Sequence, residues 1–199
     1  MCHSSVLDAS FWSNLSQLDR VIADQIQCQG CQHCAGKLHV ANYPRKPRGE
    51  HRDVLGPDYT QRLSFCCSLC RKRTTPPSLR FLGRKVYLAG IVVVLSAGVV
   101  ALDQKQRDAL LEALQVPTQT LHRWRRWWSG YVPLTPTWKA LSGWFSPPVQ
   151  TQALPGELLA RLQGSTLGLR LQQLLVLMQA LTTRSCSCSL RVIVDTHKM

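Results

Sequence analysis

Acidic side chains are what this chain has least of. It carries 11 Asp and Glu against 24 Lys and Arg among 199 residues, a formal charge of +13. From Ala113 to Gly156 there is no acidic residue at all. Metal-dependent nucleases and transposases need several carboxylates converging on cations. Asp103, Asp108 and Glu112 lie close together, but on a short helical stretch where capping and solubility explain them, and Glu157 and Asp195 are isolated. A glycine-rich phosphate loop and a nucleophile elbow are also missing. We therefore expect no catalytic residues, no small-molecule substrate and no enzyme.

Other absences narrow the class further. The opening MCHSSVLDASFWSNLSQLDR has no basic segment followed by an apolar run, so secretion is not expected. Nine cysteines in a reducing compartment are then more often metal ligands than disulfides. The expected location is cytoplasmic, associated with the nucleoid. The longest uncharged run, residues 86–102, has 17 residues, which as a helix spans about 26 Å, at the lower edge of a bilayer core. Gly90, Ser96 and Gly98 dilute it, and a central helix of a small domain is apolar all round. It is read as a buried core helix, and a membrane partner is not expected. No internal repeat is visible.

What the chain does have is localised positive charge and cysteine pairs. Between Lys37 and Lys85 there are 12 basic and 3 acidic residues. Such a one-sided balance speaks to polyanionic partners, nucleic acid or an anionic membrane surface. Within QCQGCQHCAGKLH, either Cys28/Cys31 or Cys31/Cys34 forms a Cys-x2-Cys pair. Cys31 and Cys34 are preferred, because Gly36 follows and a knuckle turns tightly after its second ligand. Cys67 and Cys70 in SFCCSLCRKR match that spacing, whereas Cys66 would leave a three-residue gap. The two pairs have the layout of a zinc ribbon: one structural Zn²⁺ held by Cys31, Cys34, Cys67 and Cys70, with no open position for water. His33 and His39 remain alternative ligands, and Cys28 is read as a small apolar residue. Cys186 and Cys188 lack a partner pair.

Prolines at 44 and 47 should hold the intervening loop extended, so that Arg45, Lys46 and Arg48 splay toward a phosphate backbone. Arg71, Lys72 and Arg73 follow the last ligand directly. Such contacts position a nucleic acid without reading its sequence.

A second element carries the sequence-reading pattern. Asp103 with Gln106 resembles a capping box, and Ala109, Leu110, Ala113 and Leu114 make an apolar face. Pro117 breaks that helix, and Thr118 is a suitable N-cap for the next. Leu121, Trp124 and Trp128 would then face the first helix, leaving Gln119, Thr120, His122, Arg123 and Arg126 outward. Two short helices, a tight turn and a cationic second helix are the layout that enters a major groove.

The expected architecture is α+β, a small zinc-ribbon-like β module followed by a mainly α-helical helix-turn-helix domain. Its expected parts are an N-terminal helix (1–27), the basic metal module (28–80), a core helix with the helix-turn-helix (81–130), and a Pro/Trp-rich linker, Leu-rich helix and irregular tail (131–199). The Leu-rich helix is expected over 155–181, with breaks near Gly164 and Gly168.

The blocks LSFCCSLCRKRTTPPSLRFLGRKVYLAGIVVVLSA, VPTQTLHRWRRWW and PLTPTWKALSGWFSPPV resemble uncharacterised bacterial proteins associated with mobile elements and transposase-like genes. Those proteins combine a zinc-ribbon-like module with a helix-turn-helix, and the likeness spans roughly residues 31–155. It implies a DNA-binding accessory or regulatory protein of a transposable element, with double-stranded DNA and a transposase or other mobile-element protein as partners. The alternatives are an RNA- or ribosome-associated zinc protein and a transposase or nuclease component. The tail after Thr182 departs from the pattern.

Overall fold

A computed structural model describes residues 7–183, apart from His51 and Arg84. Cys186, Cys188 and Asp195 lie outside the described residues. The chain forms two compact units, Met1–Val86 with Met178–Met199, and Tyr87–Leu177.

The first unit is mixed α and β. Helix α1 (Ala9–Gln29) starts where the Asp8 carboxylate accepts the Phe11 N–H and stops at Gly30, whose φ of 78° ends the helical path. Phe11, Leu15, Leu18, Ile22 and Ile26 recur at steps of three and four, and this apolar stripe is buried except for Leu18, which is half-buried. The stripe is wider than the periodicity suggests, because Trp12 and Asp19 are buried with it. Strands β1 (Leu38–Val40), β4 (Phe65–Cys67) and β5 (Arg73–Thr74) make an antiparallel sheet in the order β1-β4-β5. Between β1 and β4, strand β2 (Tyr43–Pro44) pairs with β3 (Gln61–Arg62), and the short helix α2 (Arg52–Leu55) connects them.

Two arginines of the basic segment lie inside this unit. Asp19 accepts hydrogen bonds from the Leu79 N–H (2.6 Å), Arg80 Nε (2.8 Å) and the Ser78 hydroxyl, and both charged groups are about 1% exposed or less. Arg80 also donates to the Asp58 carbonyl (2.6 Å) and lies over the rings of Tyr59 and Phe81. Phe11, Trp12, Tyr59 and Phe81 meet edge to face in series, and the Tyr59 hydroxyl donates to the Trp12 carbonyl. Arg62, also buried, donates to the carbonyls of Pro76 and Pro77. Its burial lowers its pKa, as desolvation disfavours the cation. Residues 178–183 belong to the same unit: Thr182 Oγ1 accepts the Ser78 N–H (2.8 Å), and the Thr183 hydroxyl donates to the Thr75 carbonyl.

The second unit is helical. Helix α3 (Ala89–Ala97) has every residue buried, so the uncharged run is a core helix over nine of its 17 residues, while Val86 and Val100 are exposed. Among the described residues no helix is long and apolar enough to cross a membrane. Helices α4 (Gln104–Ala113) and α5 (Thr118–Arg126) follow, and a wider turn of π type continues α5 over Trp127–Tyr131. After them come α6 (Pro136–Ser142), α7 (Gly156–Arg161) and α8 (Leu167–Met178). The Leu-rich region is thus two helices, parted at 162–166 around Gly164 (φ 155°), with Gly168 inside the first turn of α8. Gly156 lets α7 approach α3 closely, since a Cβ there would lie 3.1 Å from the Ala97 carbonyl.

Removing one partner of a buried ion pair strands the other charge, at a cost of about 3–5 kcal/mol. Asp19→Ala should lower the urea unfolding free energy by that order. Arg20 pairs with Asp58 at 2.5 Å in the open, with the two side chains 60% and 38% exposed, and Arg20→Ala should cost less than about 1 kcal/mol.

Candidate metal centre and basic surfaces

The four expected ligands meet. Their sulfur atoms all lie within 4.8 Å of one another, with Cys31 Sγ 3.6 Å from Cys70 Sγ and Cys34 Sγ 3.4 Å from Cys67 Sγ. Disulfide bonding needs about 2.05 Å, and all four are free thiols. Four thiolates each ~2.3 Å from one ion stand ~3.8 Å apart in a tetrahedron, so this cluster could hold one metal ion.

Each half of the cluster is built the same way. The Cys31 N–H donates to the Gly36 carbonyl (2.9 Å) and the Cys67 N–H to the Lys72 carbonyl (3.0 Å). In each knuckle the residue after the second cysteine takes a left-handed conformation, Ala35 at φ 56° and Arg71 at φ 59°. The expectation that Gly36 supplies the positive φ is corrected here: Ala35 turns the chain. Gly36 serves a close approach instead, since a Cβ would come within 2.9 Å of Cys67 Sγ and of Leu69 Cγ. The Ser68 N–H donates to the Lys37 carbonyl and so links one knuckle to the other.

The neighbouring candidates stay out of the cluster for local reasons. Cys28 lies in the last turn of α1, where helical backbone precludes a knuckle, and it is exposed. Cys66 sits beside Cys67 on β4, and successive residues of a strand point to opposite faces. Its thiol meets the Arg71 carbonyl at 3.5 Å. His33 and His39 are exposed and not among the clustered ligands.

The sulfurs differ electrostatically. The N–H groups of Cys70 and Leu69, with the thiols of Cys34 and Cys70, hold Cys67 down to about 6 against the effect of burial. The Lys72 N–H favours the Cys70 thiolate too, but lost water and the surrounding sulfurs of Cys34, Cys31 and Cys67 push that thiol up to about 12. Four thiolates this close repel one another, and a bound cation is what makes the fully ionised set stable.

Around the cluster the basic residues divide into two kinds. Lys46, Arg48, Arg71 and Lys72 are exposed. Arg73 is exposed as well, held by bonds to the Ala41 carbonyl (2.7 Å) and the Ser64 hydroxyl (3.1 Å) and lying over the Tyr43 ring. Arg45 is placed otherwise: half-buried, it lies over Phe81 and donates to the Lys85 carbonyl (2.7 Å). Its own N–H pairs with the Thr60 carbonyl, so the loop around Pro44 is partly sheet and not a free extended strand. Tyr43 beneath Arg73 escaped the sequence reading, although it opens the basic run YPRK.

In the second unit the Asp103 capping box is formed, with both reciprocal bonds present. The cap of α5 is Pro117 and not Thr118, and no side chain caps it, because the helix already begins at Thr118. Leu121, Trp124 and Trp128 are buried as expected. The helix that α5 packs on is α3, however, and Trp124 meets Tyr87 edge to face at 5.0 Å. With α5 packed on α3, α4 buries none of its residues: Leu110 and Leu114 are half-buried, and Ala109 and Ala113 are exposed. On α5, Gln119, His122, Arg123 and Arg126 are exposed and Thr120 is half-buried.

Compared with family models, curated proteins and solved structures, the chain matches none.

Loss of any one ligand should empty the centre. Cys67→Ser should lower bound metal from about one ion per chain to none by elemental analysis, while Cys28→Ser keeps it. Gly36→Ala should retain the four sulfurs yet release metal to a chelator faster than the parent protein.

Proposed function

We propose that this protein binds double-stranded DNA, with one structural zinc ion shaping a zinc-ribbon-like basic surface and α4–α5 acting as a helix-turn-helix. The observation that carries the reading is the sidedness of α5. Its apolar residues are buried, while Gln119, His122, Arg123 and Arg126 are exposed in a stretch without one acidic side chain. A solvated helix ordinarily mixes charges of both signs, and a cationic polar face suits a major groove, where Arg and Gln side chains read base edges.

The metal module supports the same reading from another direction. Four thiolates are a soft donor set that suits zinc, and they close its coordination sphere, so the ion is structural. It fixes Arg71 and Lys72 beside the second knuckle, and Arg73, Lys46 and Arg48 add exposed charge on the same unit. These side chains would neutralise phosphates and supply affinity without sequence preference. Arg45 contributes from inside, by holding the loop that carries Lys46 and Arg48. A role beside a transposase or other mobile-element protein follows from the resemblance of the sequence blocks.

Selection of bound sequences from a random duplex pool, with single-stranded DNA and RNA as competitors, tests the proposal. An enriched duplex motif supports it; preferential capture of RNA replaces it with the RNA-associated alternative. On the selected duplex, Arg123→Ala or Arg126→Ala should cost about 1–3 kcal/mol and relax preference at particular positions. Lys46→Ala or Lys72→Ala should weaken all sequences alike and reduce the salt slope by about one each.

A further inference from the structure

The aromatic rings that continue α5 take no part in the duplex-binding reading above. Trp128 is wholly buried, Trp127 meets it edge to face at 4.9 Å, and Tyr131 stacks on Trp127 with ring planes 20° apart and centroids 6.1 Å apart. A buried anchor thus holds a half-buried ring, which holds a ring that is 45% exposed. Arg123, Trp127 and Tyr131 follow one another at steps of four, which keeps them near one face as α5 passes into the π turn. The exposed Arg123 precedes Trp127 by one turn, ~6 Å along the axis, and Arg126 is exposed beside it.

Exposed aromatic rings next to arginines are the construction that binds single-stranded nucleic acid, with bases stacking on rings and cations meeting phosphates. The absence of acidic side chains from Ala113 to Gly156 favours a polyanion over a protein partner at this place. We infer that Tyr131, backed by Trp127, is a stacking platform for an unpaired base. The DNA bound through α5 then carries a single-stranded extension next to the duplex. This rests on the duplex-binding reading and deepens it. Tyr131 lies twelve residues beyond Gln119, ~18 Å along the axis, so the platform belongs at the edge of the α5 footprint.

Three probes test the inference with the full chain: a blunt duplex, that duplex with a single-stranded overhang, and that duplex with an overhang of abasic nucleotides. The abasic probe keeps the phosphates and removes the bases. The base-bearing overhang should bind roughly 5- to 150-fold tighter than the abasic one for one stacked base. Tyr131→Ala should abolish that difference and leave blunt-duplex affinity unchanged, whereas Tyr131→Phe should preserve it. Equal affinity for the two overhangs overturns the platform while leaving duplex binding intact, as does a Tyr131→Ala loss of equal size on all three probes. Binding of base-bearing single strands without any duplex binding supports the platform and overturns the helix-turn-helix reading. No binding to any probe overturns both.

Discussion

The first unit is organised by a carboxylate and a guanidinium that water does not reach. Asp19 comes from the middle of α1 and Arg80 from the segment after β5, 61 residues apart, and each would be costly to bury alone. Together they oblige the chain to bring α1, the Asp58–Tyr59 turn and residues 78–81 into one place, because the remaining hydrogen bonds of both groups go to those segments. The aromatic series from Phe11 to Phe81 fills the space beside them. Thr182 bonds the same Ser78 whose hydroxyl serves Asp19, which draws the far end of the described chain into the unit.

The cysteine cluster works on the strands as the ion pair works on the core. Short strands of two or three residues make few ladder bonds and have weak register of their own. Leu38 opposite Cys67 and His39 opposite Cys66 set β1 against β4 where the two knuckles must meet. The knuckles then repeat one local design on unrelated sequences, CQHCAG and CSLCRK. A metal ion is suited to such a module, since it replaces the hydrophobic contacts that so small a sheet cannot supply.

Charge in this protein has two uses that composition mixes together. Arg62 and Arg80 are interior, Arg45 is half-interior, and each donates to carbonyls or lies over a ring. Among the described residues the exposed cations are Arg20, Lys37, Lys46, Arg48, Arg71, Lys72 and Arg73 in the first unit, Arg123 and Arg126 on the α3-backed helix α5, and Lys105 and Lys139 elsewhere in the second. A cation on a rigid support loses less side-chain entropy when it meets an anion than one on a free loop.

The sequence by itself determined the core helix and the capping box, and it put the four clustered cysteines first as ligands while leaving Cys28, His33 and His39 open. Each depends on residues near in sequence, where spacing translates directly into geometry: Cys-x2-Cys into a knuckle, an uncharged run into buried α3, Asp103 and Gln106 into reciprocal caps. It also separated the exposed from the buried face of α5, because helical period alone assigns them. Only the tertiary structure decided which helix covers that buried face, since α3 and α4 both offer apolar side chains and the choice is one of packing. Only the tertiary structure turned Arg45, Arg62 and Arg80 inward and brought Asp19 in to meet one of them. A basic residue reads the same in sequence whether its guanidinium meets solvent or, as for Arg80, a carboxylate 61 residues away, and the partner that makes burial possible is long-range by nature.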